Sequence, residues 1–228
     1  MSYEYVTILG YQYYINYDDE YAVFQDAPKM EEYIILPEKV KGVTVKGIGA
    51  NALYGNQYLK EIHIPDSVYS INADAFSGCV NLKKVVFYAS QKPFSRISFY
   101  GGVFQDCPAL TEILCDKKLP FYSYQGDNFA NCSSLVTIDS PILHLSGKDF
   151  ENCVALKSIT LKGDQIKWKT STFGGCKNLK EIVFLGNIDE NIKPSCLNKI
   201  KTKKLKCNAV SNVIELAHEG YNVEIISS

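Results

Sequence analysis

The sequence predicts a mainly-β repeat solenoid, a right-handed stack of about eight short parallel strands, and three recurring spacings indicate this. A phenylalanine is followed six residues later by a leucine, a cysteine stands three residues after the phenylalanine, and a β-branched residue stands three residues after the leucine. The phenylalanines are Phe76, Phe104, Phe129, Phe150 and Phe173, and the leucines are Leu82, Leu110, Leu135, Leu156 and Leu179. We call the resulting pattern, Phe-x-x-Cys-x-x-Leu-x-x-Ile-x-apolar, the frame.

Each frame ends in a triplet that alternates apolar and variable residues, as a half-buried strand does. A single unit of this kind cannot bury its own apolar residues, whereas stacked units share one continuous core. Apolar or aromatic residues also stand five positions before each frame phenylalanine or its equivalent Leu53, and we expect this upstream column to fill the core. Its members are Ile48, Ile71, Phe99, Tyr124, Leu145 and Trp168.

The two ends of the chain depart from the frame, as terminal capping units do. Residues 1–29 are predicted to form an N-terminal β-hairpin cap, in which 13–24 turns at Asp18, Asp19 and Glu20. Residues 30–208 form the solenoid, and 209–228 are predicted to form a C-terminal helix–strand cap, because 210–217 have helical spacing and 221–226 alternate. All three parts are expected to belong to one structural domain.

The composition excludes several classes of protein. The net charge of −1 argues against a nucleic-acid partner, and no apolar run approaches the roughly 18 residues of a membrane span. The first residues lack the basic and apolar regions of a secretory signal, which leaves a cytoplasmic location open.

The residue types that carry chemistry favour packing over catalysis. Five of the eight cysteines belong to the frame, and no Cys-x-x-Cys pair occurs, so we expect buried, reduced thiols and no metal site. The three histidines are far apart in sequence and lack a partner for acid–base work. No cofactor is expected. A basic run is interpreted as protection against strand aggregation, with an anion site as the alternative; it comprises Lys199, Lys201, Lys203, Lys204 and Lys206.

The stretch from Leu59 to Leu82, Leu-Lys-Glu-Ile-His-Ile-Pro-Asp-Ser-Val-Tyr-Ser-Ile-Asn-Ala-Asp-Ala-Phe-Ser-Gly-Cys-Val-Asn-Leu, closely resembles the BspA-like leucine-rich repeat. The resemblance covers roughly residues 30 to 208. It implies a leucine-rich-repeat stack and a surface or secreted protein, of a kind found in mucosal bacteria and protists and in several cases implicated in adhesion to host matrix. The family has no catalytic residues to transfer.

These observations predict a binding or adhesion module for a protein or glycan partner, because solenoids offer long continuous surfaces. A structural spacer without its own ligand is the alternative, and an enzyme is the least favoured class.

A candidate binding surface is predicted where outward apolar residues and irregular inserts coincide. The middle residues of the strand triplets should point away from the core, and three of them, with the neighbouring Tyr88, are apolar or aromatic: Val86, Leu114 and Val183. The inserts at 88–103 and 116–128 leave four aromatic residues after Phe99 and Tyr124 fill the core column, namely Phe94, Tyr100, Phe121 and Tyr122. An exposed patch of this kind would bind a partner or a second copy of the chain. The alternative is that the inserts cover Val86 and Leu114 or fill the core.

Overall fold

The computed structural model describes residues 2–91, 94–162, 171–185, 204–207 and 222–225. Trp168, Cys196, the first three lysines of the basic run and the predicted helix at 210–217 lie outside these residues. The described part contains 18 strands and no helix. This exceeds the predicted eight, because the segments that return between frames also form strands.

The frame triplets form parallel strands, as predicted. Five of them make one sheet, here called the frame sheet, in the order β13-β11-β9-β7-β4. Their bounds are β4 (Tyr33–Ile35), β7 (Glu61–Pro65), β9 (Lys84–Tyr88), β11 (Glu112–Cys115) and β13 (Thr137–Ile138). Burial alternates along each strand, and in β9 Val85 and Phe87 are buried while Val86 is half-buried.

The return segments form a second parallel sheet, which the sequence analysis did not predict. This return sheet contains β3 (Tyr21–Asp26), β6 (Val43–Ile48), β8 (Ser70–Ile71), β10 (Ile97–Phe99), β12 (Phe121–Ser123) and β14 (Ile142–His144). Short β5 (Lys39–Val40) pairs with β6 in the antiparallel sense. The apolar core lies between the two sheets, so each sheet has one buried and one outward face.

The later frame strands join the return sheet instead of extending the frame sheet. Ile142 of β14 pairs with Leu161 of β15 (Ser158–Lys162), and β16 (Glu181–Leu185), β17 (Lys204–Cys207) and β18 (Asn222–Ile225) follow in parallel order. The predicted strands are therefore parallel throughout but are divided between two sheets. The frame sheet ends at the two-residue strand β13, which pairs with β11 alone.

Residues 3–26 form an antiparallel meander of β1 (Tyr3–Ile8), β2 (Tyr11–Asn16) and β3. The predicted hairpin is β2 with β3, and it turns at the acidic residues. β3 then pairs in parallel with β6, so the meander continues the return sheet.

The rings of the frame phenylalanines form an offset stack of nearly parallel planes along the core. Neighbouring rings lie 5.1 to 5.7 Å apart between centroids and are tilted by only 7° to 13°. Phe99 meets two of these rings, Phe104 and Phe129, edge-on. Offset stacks and edge-on pairs are the arrangements that the ring quadrupole favours. The six-residue step from phenylalanine to leucine thus repeats one packed layer in every unit.

The turn after each frame phenylalanine uses a left-handed backbone two residues later. This position has φ between 57° and 80° in every described frame and is filled by glycine, asparagine or aspartate, which tolerate this conformation. The residues are Gly55, Gly78, Asp106, Asn131, Asn152 and Gly175. Asn131 also donates a hydrogen bond to Asp106 (2.7 Å) and accepts one from Asn152 (2.8 Å), so neighbouring turns are tied together.

Candidate functional site

The predicted binding surface is divided between opposite sides of the solenoid. Val86 and Leu114 lie on the outward face of the frame sheet, whereas Tyr122 points out of the return sheet between the buried residues Phe121 and Ser123. The core separates them, since the ring of Phe121 packs against that of Phe87, with centroids 5.5 Å apart. A single ligand face that includes both groups is therefore not formed.

On the frame sheet, Val86 and Leu114 are paired neighbours in register, as predicted, and both are half-buried. Charged residues that form ion pairs with one another lie beside these two residues. Lys84 lies 3.9 Å from Glu61 and 3.9 Å from Glu112, and Glu61 also contacts His63 at 2.6 Å. This face therefore consists of small apolar side chains among paired charges.

The other two frame-side candidates do not extend this pair. Val183 is half-buried and pairs with Thr160 in the later strands. The hydroxyl of Tyr88 donates a hydrogen bond of 2.5 Å to the Leu36 carbonyl, which holds the ring down on the sheet. Burial raises the pKa of Tyr88, and nearby Glu38 and Asp66 raise it further.

The assignment of Phe121 to the surface and of Tyr124 to the core is wrong. Phe121 is 1% exposed and packs in the core, while Tyr124 is 39% exposed. The cause is a register shift of one residue. Ser123, not Tyr124, pairs with the core residue Phe99, so one more residue separates the strand from the frame phenylalanine here than in the preceding unit. Phe121 fills the core, as the alternative reading of the inserts expected.

Aromatic side chains with one arginine form a continuous patch on the outward face of the return sheet. We call this patch the aromatic surface, and it consists of Tyr69, Phe94, Arg96, Tyr100, Tyr122, Tyr124 and His144. Three predicted residues, Phe94, Tyr100 and Tyr122, belong to it.

The rings of the aromatic surface are in direct contact. Tyr100 stacks on Tyr124 at 4.8 Å and 8°, Tyr122 stacks on His144 at 4.6 Å and 10°, and Tyr122 and Tyr124 are 4.5 Å apart. Burial raises the pKa of Tyr100; the neighbouring Tyr124 and Tyr69 raise it further, and Arg96 opposes them. The raised pKa keeps the Tyr100 hydroxyl protonated near neutral pH.

Arg96 is held by two of these tyrosines. Its guanidinium carbon lies 4.9 Å from the centre of the Tyr122 ring, and Nη2 donates a 2.9 Å hydrogen bond to the Tyr124 hydroxyl. A planar guanidinium can stack on a ring in a way that an ammonium group cannot. Arg96 is the only arginine in a sequence whose lysines and arginines number 24. This is the sequence signal for the aromatic surface that the repeat analysis missed.

The small residues of the return sheet open a groove beside these rings. The outward row reads Gly47, Ser70, Ser98, Tyr122 and His144 in register. The groove has a volume of about 450 Å³ and is lined by Tyr69, Phe94, Ser95, Arg96, Ser98, Tyr100 and Tyr124. This volume lies within the usual range of ligand sites, about 300–1,000 Å³.

A buried carboxylate positions the insert that carries Phe94 and Arg96. Asp66 is 1% exposed, and its Oδ1 atom accepts hydrogen bonds from the Ser90 backbone N–H (2.7 Å) and hydroxyl. Lys117 lies 3.4 Å from Oδ2 and donates to the Ser90 carbonyl at 2.9 Å. The backbone N–H of Phe94 donates to the Asp66 carbonyl at 3.3 Å. Asp66 therefore fastens the starts of both inserts to the solenoid.

The titratable side chains of the described residues are not arranged for metal binding or thiol chemistry. Within them, no three histidine, cysteine, aspartate or glutamate side chains are grouped to hold a metal ion. Burial raises the pKa of Cys79 and of Cys176 to about 12, and raises those of Cys107, Cys132 and Cys153 well above the ordinary value. These thiols are protonated at neutral pH and are therefore poor nucleophiles. No helix in the described segments is long and apolar enough to cross a bilayer.

Comparison with known proteins agrees with this architecture. The structure is similar to that of a T. pallidum leucine-rich-repeat protein, with a TM-score of 0.63 and 23% identity over 99% of this chain and 100% of the other. A leucine-rich-repeat protein from Bacteroides capillosus matches at a TM-score of 0.46 and 23% identity over 59% of this chain and 96% of the other. A protein described as a leucine rich cell surface protein, from Faecalibacterium prausnitzii, matches at 0.37 and 15% identity over 100% and 96%.

The comparison with curated proteins gives no match. The family model for the BspA type leucine rich repeat region matches six copies, over residues 20–142 and 101–221. These two matches span most of the 228 residues. The chain therefore belongs to the BspA-type leucine-rich-repeat family.

Proposed function

We propose that this protein is a non-catalytic binding or adhesion module that holds a protein or glycan partner on the aromatic surface. The observation that carries the proposal is the cluster of touching, partly exposed rings around Arg96. Tyrosine and arginine are the side chains that contribute most to binding energy at interfaces, and contiguous exposed apolar area usually marks an interaction site. On the described frame sheet, by contrast, the charges around Val86 are already paired with one another.

The positions of the irregular inserts also favour binding on the outward face of the return sheet. Both inserts cross from the frame sheet to the return sheet, and there they supply Phe94, Arg96, Tyr100, Tyr122 and Tyr124. A repeat that served only as a spacer would not need a specialised segment at this point. Display at the cell surface is part of the proposal, in line with the printed description of the F. prausnitzii protein.

Two double variants test the proposal by comparing the two faces. Three proteins are screened against an array of glycans and a panel of purified matrix proteins: the wild-type chain and two double variants. The tyrosine variant carries Tyr100→Ala and Tyr122→Ala, and the frame-sheet variant carries Val86→Asp and Leu114→Asp. Circular dichroism establishes that each variant is folded. We expect the tyrosine variant to lose at least about tenfold in affinity for the bound partner, as loss of hot-spot residues does, and the frame-sheet variant to bind like the wild type.

Three outcomes would overturn the proposal. The first is that the tyrosine variant binds the partner as tightly as the wild type does. The second is that only the frame-sheet variant loses affinity. The third is that no partner binds on either panel. Sedimentation of each variant distinguishes a second copy of the chain from a different partner.

A further inference from the structure

We infer that the aromatic surface recognises an acidic saccharide, in which a sugar carboxylate pairs with Arg96 while the sugar ring packs on the neighbouring tyrosines. This inference rests on the proposed binding function and specifies its ligand. It goes beyond the repeat fold, which fixes neither the sign of the ligand's charge nor its chemical class.

The guanidinium group of Arg96 has no acidic partner among the described residues. No carboxylate belongs to the groove around Arg96, and no described acidic residue lies within ion-pair distance of its guanidinium group. The paired lysines Lys41, Lys60, Lys118 and Lys148 each contact an acidic side chain instead. Arg96 is thus a cation on the return sheet whose partner is not supplied by the described part of the chain.

The orientation of this cation is fixed. Tyr122 supports the guanidinium from one side and Tyr124 accepts one hydrogen bond, which uses one of the five N–H groups. The remaining donors are arranged in a planar fork that matches a carboxylate with two parallel hydrogen bonds. Because the fork is already held, less side-chain entropy is lost when the anion binds.

The surroundings of Arg96 are aromatic. Two aromatic pairs line the groove together with Arg96: Phe94 and Tyr69, with ring centroids 4.3 Å apart, and the stacked Tyr100 and Tyr124. The C–H groups on one face of a pyranose ring form an apolar plane that packs on the electron-rich face of an aromatic ring. The exposed Ser95 and the tyrosine hydroxyls of the groove offer hydrogen bonds to sugar hydroxyl groups.

A second groove that contains lysines would also suit an acidic saccharide. A groove of about 450 Å³ on the other side of Phe94 contains Lys39 and Lys46 together with the single acidic residue Glu20. A saccharide that carries repeated carboxylates would therefore meet positive charge on both sides of Phe94. Uronic acids and sialic acids both present this chemistry.

The test is equilibrium titration of the full chain with two matched pairs of saccharides. Hyaluronan hexasaccharide is compared with neutral chitohexaose, and sialyllactose with lactose, so that the two pairs distinguish a uronic from a sialic acid. We expect the acidic member of one pair to bind on the order of 10- to 100-fold more tightly than the neutral member. Arg96→Gln should abolish this preference, and Arg96→Lys should retain only a small part of it.

Lys60→Gln is the control for net charge, because Lys60 lies beside the frame sheet, where it contacts Glu32; this variant should keep the full preference. Equal affinity for acidic and neutral sugars, or an unchanged preference in Arg96→Gln, would overturn the inference. Another outcome is that a matrix protein or a neutral glycan binds instead, with affinity lost only in the tyrosine variant. In that case the inference of an acidic ligand is wrong and the proposed binding function stands. If no partner binds, both fail.

Discussion

The sulfur of Cys132 lies 3.0 Å from the carbonyl oxygen of Phe104, the frame phenylalanine of the preceding unit. The same bond recurs from every described frame cysteine to the preceding unit, at 3.0 to 3.1 Å. Four of the five acceptor carbonyls also accept a backbone N–H within their own turn, whereas for the Phe104 carbonyl the Cys132 thiol is the donor. This hydrogen bond gives a structural reason for the fixed spacing of cysteine after phenylalanine.

The first prediction compares Cys132→Ser with Cys132→Ala. The two replacements have similar volumes, but only serine keeps a donor for the Phe104 carbonyl. We expect the serine variant to be more stable than the alanine variant by about 1 kcal/mol in urea unfolding, the net value of a typical hydrogen bond. In a core without an acceptor the order would be reversed, so an alanine variant of equal or greater stability would show that the bond contributes nothing.

The buried thiols also predict how stability depends on pH. Burial raises the folded-state pKa of Cys79 from the ordinary 9.0 to about 12. The stabilisation is therefore fully present below pH 9 and is lost as the pH rises towards 12, because the unfolded thiol ionises first. Each such thiol contributes a slope of at most about 1.4 kcal/mol per pH unit. Urea unfolding between pH 8 and pH 11 measures the slope, and Cys79→Ser should reduce it.

Alkylation followed by mass measurement tests the state of the same cysteines. The six described cysteines are free, and five of them belong to the buried frame. Native protein at pH 8 should leave these thiols unmodified, whereas unreduced protein in denaturant should take up label at all eight cysteines of the sequence. A count of six or fewer in denaturant would contradict the assignment of free thiols.

The fourth prediction concerns the phenylalanine stack. Phe129 is 2% exposed and touches Phe104 and Phe150 with centroid distances of 5.7 and 5.1 Å. Phe129→Ala should lower the free energy of unfolding by about 3–5 kcal/mol, because it leaves a cavity between two layers. Tyr124→Ala, an exposed aromatic of the adjacent turn, is the control and should cost less than about 1 kcal/mol. Equal losses would mean that the stack does not carry the stability of the core.

The fifth prediction concerns Asp66. Asp66→Ala removes the acceptor for two donors of Ser90 and the partner of Lys117, and we expect a loss of about 1–3 kcal/mol in the free energy of unfolding. Lys117→Met should cost less, since the lysine is partly exposed and Ser90 remains bonded. Thermal unfolding of the two variants measures the difference, and a larger loss in Lys117→Met would refute the assigned role of the carboxylate.

The sequence was sufficient for the core of each unit but not for the segments between units. Spacing identifies Phe129 and Leu135, because the frame has no insertions between phenylalanine and the strand. It misplaces Phe121 and Tyr124, because the upstream column was counted back from Phe129 at a constant interval, and one added residue shifts which side chains face inward. Alternation cannot be recognised in strands of two or three residues such as β8 and β10, so the return sheet was missed.

The aromatic surface shows a different limit. Phe94, Tyr100 and Tyr122 could be selected because they exceed what the core column needs. Their combination with Tyr69 and His144 depends on the register of four return strands, which no local pattern contains. The single arginine was a usable signal, since arginine in place of lysine indicates a need for a planar group.

Hydroxyl-radical footprinting tests the central claim most directly. The oxidation of surface side chains is measured by mass spectrometry for the full chain alone and saturated with the tightest-binding member of the glycan and matrix-protein panels. We predict that the partner protects Phe94, Tyr122 and Tyr124 from oxidation and leaves Ile35, Val86 and Leu114 unchanged. Protection confined to the frame-sheet residues, with the three aromatic residues oxidised as in the free protein, would contradict the assignment of the aromatic surface as the binding site.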